Sequence, residues 1–259
     1  MLRMCARMAF AFALFCASVQ AQSQNLFYQA PTYPGLDPTV TADFNGDGKP
    51  DLASADGTVM LGNGDGTFKT VAPWKSTSTQ AAGFIAVGDF NGDGKADLLV
   101  TYNNVCCNLY VVLGNGDGTF QAPMATNVGT NLFSLVAVDL NGDGKMDVVG
   151  MAATGLFVFL AKGDGTFAPG AMYPSISGNV MVAGDFNGDG KADVAIGIGV
   201  LSIEVLPGNG DGTFQPGINS PVGTMNARTI TAGDVNGDGR LDLIVSGTVG
   251  SSIQSGQTV

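Results

Sequence analysis

Short apolar runs of about four to six residues alternate with glycine-rich polar turns over most of the chain after residue 40. The clearest unit contains four such runs, which are Phe84–Gly88, Leu98–Tyr102, Leu109–Leu113 and Gln121–Ala125. Runs of this length that are rich in β-branched and aromatic residues, and that end at turn residues, are typical of β-strands. Each unit is therefore predicted to form one four-stranded antiparallel sheet.

Equivalent Asp residues at positions 43, 89, 139, 185 and 234 recur every 46 to 50 residues, and the copies of the unit start near residues 41, 84, 134, 180 and 229. A repeat of this length is typical of a propeller blade rather than of a helical repeat. Four copies are full, whereas the fifth stops after its second run. The sequence thus predicts an all-β propeller over residues 41–259, with four full blades and a partial fifth, as either an incomplete array or a five-bladed ring.

The first polar loop of each unit repeats the pattern Asp-x-Asn-Gly-Asp-Gly-x-x-Asp, here called the acidic loop. Its side chains carry oxygen at positions 1, 3, 5 and 9, Gly stands at position 6, and position 7 offers a backbone carbonyl. Hard oxygen ligands at alternate positions are what Ca²⁺ requires, and carboxylates favour it over soft metals. An alternative interpretation is a hairpin turn with Asp caps, which explains positions 3 to 6 but not the Asp at positions 1 and 9.

The predicted Ca²⁺ ligands occupy five equivalent positions in each copy of the acidic loop. They are Asp43, Asn45, Asp47, Lys49 and Asp51; Asp89, Asn91, Asp93, Lys95 and Asp97; Asp139, Asn141, Asp143, Lys145 and Asp147; Asp185, Asn187, Asp189, Lys191 and Asp193; and Asp234, Asn236, Asp238, Arg240 and Asp242. The predicted role of the metal is structural, since five carboxylate clusters would otherwise repel one another.

A second polar motif, here called the glycine turn, follows the third apolar run of each full unit. Its first copy is Gly62–Phe68, and the later copies carry Asp117, Asp164 and Asp211. One acidic residue among several glycines favours a tight turn with positive φ, after which the terminal Phe anchors the next strand in the core. Ligand binding by the face that collects these turns remains an alternative.

Charge and composition narrow the range of functions. The net charge is −11, and 19 of the 22 acidic residues lie in the acidic loops or the glycine turns. No nucleic-acid partner is predicted, because the sequence has no basic patch to neutralise phosphates. The absence of His removes Ser-His-Asp and Cys-His catalysis and the usual zinc ligand. Only Asp37, Asp56 and Glu204 remain for a catalytic carboxylate pair, so no enzyme activity and no catalytic residue is predicted.

The N-terminal residues 1–21 have the features of a cleavable signal peptide. Arg3 and Arg7 precede an apolar run, Met8–Cys16, that is too short to span a membrane, and Ala21 ends a small-residue cleavage pattern. The mature chain is therefore predicted to be secreted or located at the cell surface, without a membrane span. Its cysteines are Cys106 and Cys107, which are expected to form either a vicinal disulfide or two thiols.

The lead-in after the signal peptide, residues 22–40, resembles part of a blade. Its segment Leu26–Pro31 is similar to Thr119–Pro123, which starts the fourth run of the second unit. This similarity predicts that the lead-in supplies a closing outer strand, as in many propellers.

The acidic loop Asp-Phe-Asn-Gly-Asp-Gly-Lys-x-Asp-Leu, followed by Gly-Asn-Gly-Asp-Gly-Thr-Phe, resembles the FG-GAP/VCBS-type repeats of bacterial extracellular proteins, which are related to the integrin α-subunit propeller. The resemblance covers about residues 26 to 250. It implies a β-propeller with Ca²⁺ on the edge of each blade, and an adhesion or ligand-binding role toward an extracellular protein or glycan. An enzyme accessory or carbohydrate-active propeller domain is the alternative. The oligomeric state is left open.

Overall fold

The computed structural model describes residues 39–71, 73–74, 82–102, 107–198 and 200–247. Their regular secondary structure consists of 17 β-strands. Within these ranges no helix has the length and apolar character needed to cross a membrane. The predicted signal peptide, most of the lead-in, Cys106 and the tail after residue 247 lie outside the described residues.

The strands form four antiparallel sheets, and in each sheet neighbouring strands follow one another in the chain. Three sheets have four strands, and the last has five. The first sheet contains β1 (Thr39–Ala42), β2 (Asp51–Ser54), β3 (Val59–Gly62) and β4 (Phe68–Val71). The second contains β5 (Ala82–Gly88), β6 (Asp97–Tyr102), β7 (Asn108–Val112) and β8 (Met124–Asn127). The third contains β9 (Leu132–Val138), β10 (Asp147–Ala152), β11 (Gly155–Ala161) and β12 (Phe167–Tyr173). The fourth contains β13 (Val180–Gly184), β14 (Asp193–Ile198), β15 (Val200–Leu206), β16 (Ile218–Gly233) and β17 (Asp242–Gly247).

The long strand β16 belongs to two blades. Its first part pairs with β15 as the outer strand of the fourth blade, and its second part pairs with β17 as the inner strand of a fifth. The structure therefore confirms four four-stranded blades and a two-stranded start of a fifth. Among the described residues β17 does not pair with β1, so a closed ring and its blade number stay predictions.

The blades stack through their faces, and the first strands β1, β5, β9, β13 and β16 lie next to one another in that order. An apolar cluster fills the space between each neighbouring pair of blades. In the second cluster along the chain, Phe90 and Leu99 of one blade pack with Val148 and Phe159 of the next. The middle strands are covered on both faces, which explains why β6 and β10 are apolar without strict alternation.

The acidic loops and the glycine turns lie on the same edge of the array, where neighbouring blades interlock. The Gly118 N–H of the second blade donates to the Phe44 carbonyl of the first acidic loop at 2.9 Å. The ring of Phe44 meets Phe120 edge to face at a centroid distance of 5.4 Å, and Phe90 meets Phe167 at 6.0 Å in the same way. The aromatic residue of the glycine turn thus contacts the preceding blade, which the sequence did not predict.

Gly118 provides a test of this interlocking. Gly66 and Gly118 occupy equivalent positions with φ of +86° and +83°, but a Cβ on Gly118 would lie 2.8 Å from Leu61 of the preceding blade, whereas Gly66 has open space around it. We expect Gly66→Ala to lower the free energy of unfolding by about 1–2 kcal/mol through backbone strain alone. Gly118→Ala should cost about 1–3 kcal/mol more, because Leu61 must move. Equal losses in chemical denaturation would contradict the interlocked arrangement.

The fourth strand of the second blade begins later than predicted. The sequence placed it at Gln121–Ala125, whereas β8 begins at Met124. Pro123 has no N–H to donate to a neighbouring strand, so regular pairing resumes only after it. In the same blade Cys107 is disulfide-bonded and has a φ of +79°, while its neighbour Cys106 lies outside the described residues.

Candidate metal loops and the opposite face

Each acidic loop is wound around the carboxylate at position 1. In the first copy, Asp43 Oδ1 accepts hydrogen bonds from the N–H groups of Gly46 at 2.7 Å and Asp47 at 3.2 Å, and Oδ2 accepts one from Gly48 at 2.7 Å. Gly46 and Gly48 have φ of +75° and +78°, a conformation that favours glycine. The other four copies repeat these three bonds.

The side chains at positions 3 and 5 accept hydrogen bonds from backbone amides of their own acidic loop. Asn45 Oδ1 accepts from the Asp47 N–H, and Asp47 Oδ1 accepts from the Lys49 N–H, both at 2.9 Å. The Lys49 ammonium lies 3.4 Å from Asp47, and equivalent pairs at 3.5 and 2.9 Å occur in the second and third loops. The structure thus brings positions 1, 3 and 5 together, with the position-7 side chain beside the position-5 carboxylate.

The carboxylate at position 9 is buried and connects different parts of the blade. Asp51 Oδ2 accepts from the Phe44 N–H at 2.9 Å, and Oδ1 accepts from the Gly62 N–H at 2.7 Å. Asp97, Asp147 and Asp193 each accept the corresponding two N–H groups. In the partial fifth blade Asp242 accepts from Val235. Position 9 therefore ties the acidic loop to the end of the third strand.

The pKa values of the carboxyl groups at positions 1 and 9 are shifted in opposite directions. Hydrogen bonds from the loop amides, that of Gly48 above all, hold the pKa of Asp43 below its ordinary value. Burial raises the pKa of Asp97 to about 6 in spite of its two amide donors, and it also raises the pKa of Asp147 and Asp193. Among the described residues no ion pair neutralises these buried carboxylates. Buried charges in proteins are normally paired or bound to a metal, so a cation would suit this site.

The donor set fits calcium by its chemistry. Within the described ranges no three His, Cys, Asp or Glu side chains converge closely enough to hold a metal ion by themselves. Each loop adds an Asn side-chain oxygen and a backbone carbonyl to its three carboxylates, and calcium accepts such mixed oxygen ligands flexibly. In the first blade the ion would be held by side-chain oxygens of Asp43, Asn45 and Asp47 and by the Lys49 carbonyl. The buried Asp51 would be the fifth ligand.

The polar side chains of the glycine turns form hydrogen bonds within the turn itself. Asp65 Oδ1 accepts from the N–H of Thr67 at 2.9 Å and from its hydroxyl at 2.6 Å, and the Asn63 amide donates to the Thr67 hydroxyl at 2.8 Å. The Thr67 hydroxyl bond is the main reason that the pKa of Asp65 lies below its ordinary value. Gly64 and Gly66 have positive φ. These contacts confirm the prediction of a tight turn.

The edge opposite the acidic loops contains a cavity that the sequence analysis missed. It lies between the second and third blades, has a volume of about 440 Å³, and is here called the interblade cavity. Its walls are formed by Gly83, Phe84, Thr101, Tyr102, Asn131, Leu132 and Phe133. The detectable signal was Phe133, a large aromatic residue that follows buried Leu132 at the start of β9 and is itself exposed.

The sequence model of the FG-GAP-like repeat family matches residues 43–100, 101–150, 139–196 and 198–245, which together span every described blade. The chain belongs to the FG-GAP-like repeat family. The family assignment agrees with the resemblance seen in the acidic loops. No curated protein matches the chain in sequence.

Solved structures similar to this FG-GAP repeat chain include a lectin from Agrocybe aegerita described by its recognition of non-reducing terminal N-acetylglucosamine. It is 28% identical, with a TM-score of 0.52, and the match covers 69% of this chain and 50% of the lectin chain. The Tc holotoxin pore of Photorhabdus luminescens matches at 19% identity and a TM-score of 0.53 over 83% of this chain and 11% of that one. The chain thus spans about half the length of the lectin and a small part of the toxin. At 19% identity, the similarity to the toxin is evidence only for a shared fold.

Proposed function

We propose that this FG-GAP repeat protein is a secreted propeller module that binds a glycan and uses calcium to stabilise its scaffold. The observation that carries the proposal is the separation of two edges. One edge concentrates the carboxylates in loops engaged in contacts between blades, and the other has an open cavity whose described lining residues are all uncharged. The 28% identity to a lectin that recognises N-acetylglucosamine supports a glycan as the ligand.

Calcium has a structural role in this proposal. The acidic loops contact the next blade through Phe44 and Phe90, so an ion bound there would stiffen the blade-to-blade contact rather than meet a ligand. The predicted signal peptide directs the chain to a compartment where loops with weak calcium affinity, with dissociation constants on the order of 10⁻⁴ to 10⁻³ M, would still be filled. No catalytic role is proposed, since the chain has no His and its acidic residues are mostly committed to loops and turns.

Glycan binding is tested directly with the full mature chain on a glycan array, in buffer with millimolar calcium. We expect binding to neutral glycans, with terminal N-acetylglucosamine among the ligands, because the cavity offers aromatic and polar surface without charge. The heat-unfolded chain serves as the control for nonspecific adhesion. Failure to bind any glycan, combined with capture of an extracellular protein, would replace this proposal with the protein-adhesion alternative.

A further inference from the structure

The geometry points to the interblade cavity as the carbohydrate-binding site, and we propose that it takes one neutral, non-reducing terminal sugar ring stacked on Phe133. This inference rests on the proposed glycan-binding function and adds its location, ligand class and stoichiometry. A volume of about 440 Å³ falls within the usual range of small-ligand pockets and exceeds the size of one sugar ring.

Phe133 is the aromatic surface of the cavity. Its side chain is 53% exposed, and it belongs to none of the apolar clusters that join the blades. The preceding residue packs inward, since a Cβ on Gly150 would lie 2.8 Å from the Leu132 side chain. Phe133 therefore keeps a large apolar face in contact with water. The C–H face of a sugar ring would remove this surface from water while leaving the hydroxyl groups free at the ring edge.

Two irregular strand pairings shape the cavity. The register between β5 and β6 shifts between Ala82 and Phe84, which leaves Gly83 as an extra residue in the cavity wall. The register between β9 and β10 shifts between Met151 and Ala152, which leaves Phe133 as the extra residue on the opposite side. Such bulges redirect side chains and are common next to binding sites. The cavity is thus bordered by bulges of two neighbouring blades.

The polar groups of the cavity suit hydroxyl and acetamido groups. Thr101 is largely buried, Asn131 is exposed, and neither side chain forms a hydrogen bond with another described residue. Both can donate and accept hydrogen bonds. Since none of the described lining residues is charged, a charged sugar would lose its hydration without an ion pair to these residues in return. A neutral ring is therefore the expected ligand.

The site occurs once in the described blades. The residue six positions before each acidic loop is Gly83 in the second blade, Phe133 in the third, Asn179 in the fourth and Arg228 in the fifth. Among these four described positions, an exposed aromatic next to a small neighbouring residue is found only at the junction of the second and third blades. The described part of the chain should therefore bind one glycan end rather than one at every blade.

The experiment is a calorimetric titration of an N-acetylglucosamine trimer into the full mature chain with calcium present. The variants are Phe133→Ala and Thr101→Val, and Ile218→Ala is the matched control because its side chain is 52% exposed and lies outside the cavity. Unchanged circular dichroism and unfolding midpoints show that each variant is folded. Phe133→Ala should weaken binding at least about fivefold, as loss of an aromatic contact of about 1 kcal/mol implies, while Ile218→Ala should leave it unchanged.

The outcomes separate the site from the function. Binding by the wild type near one trimer per chain, with loss in Phe133→Ala, supports the site. Wild-type binding that Phe133→Ala and Thr101→Val both retain would overturn the site and leave the glycan-binding function standing. Preference for a sialylated or uronic acid-terminated oligosaccharide over the neutral trimer would overturn the ligand class. Absence of glycan binding by the wild type would overturn the proposed function and the site together.

Discussion

We expect chelation of calcium to lower the thermal unfolding midpoint of the mature chain by at least about 10 °C. A ligand that binds only the native state stabilises it by RT ln(1 + [L]/Kd). With dissociation constants on the order of 10⁻⁴ to 10⁻³ M and about 10 mM free calcium, each acidic loop gains about 1.4 to 2.7 kcal/mol. In a chain of this size about 1 kcal/mol corresponds to about 2–4 °C, so about four filled loops produce the expected shift even at the low end of these ranges.

The sole tryptophan reports this transition. Trp74 is 4% exposed and lies in the cluster between the first and second blades, so its fluorescence changes when those blades separate. The comparison uses EGTA, EGTA with excess calcium, and magnesium at the same concentration as calcium. Magnesium requires near-octahedral geometry and keeps its water, so it should restore less stability than calcium. Full restoration by magnesium would contradict a loop suited to calcium.

We expect Asp147→Ala to lower the free energy of unfolding by about 2–4 kcal/mol even in EGTA. The carboxylate accepts the N–H of Leu140 at 3.1 Å and that of Ala161 at 2.8 Å, and all of it is buried. Its removal leaves two buried donors without partners, each of which costs about 1–3 kcal/mol. The loss is partly offset because a buried negative charge, whose pKa burial already raises, disappears as well. Chemical denaturation in EGTA measures the effect.

Asp143→Ala in the same loop is the matched control for Asp147→Ala. Asp143 is partly exposed, and its main contacts are the N–H and ammonium of Lys145. We expect it to cost less than about 1 kcal/mol in EGTA, as for an exposed ion pair and a local turn bond, and to remove the stabilisation by calcium at that loop. If Asp147→Ala in EGTA were as stable as the wild type, position 9 would act through the metal alone.

The sequence predicted the turns and the order of the strands, although β8 begins three residues later than expected. The acidic loop and the glycine turn are short segments whose glycines, Gly46, Gly48, Gly64 and Gly66, adopt the positive φ that their pattern demands. Their Asp side chains bond to amides two to five residues away, so the conformation is encoded locally. The apolar runs between such turns then have few alternatives to a meander.

Contacts between blades and the cavity were not predictable in the same way. The Phe44 contact with Phe120 joins residues that are far apart in sequence, and nothing local to either residue specifies the partner. The bulge at Phe133 depends on how Leu132 packs over Gly150 across the sheet. The double role of Asp51, as predicted ligand and as acceptor of the Gly62 amide, also required the third strand to be in place.

The unfolding midpoint of the wild-type chain, measured at a series of free calcium concentrations, tests the account most directly. Five acidic loops with a shared geometry should raise the midpoint steadily with the logarithm of free calcium above their dissociation constants, on the order of 10⁻⁴ to 10⁻³ M. Asp143→Ala should show a shallower rise than the wild type. A midpoint that stays constant from EGTA to about 10 mM calcium would contradict a calcium-stabilised scaffold.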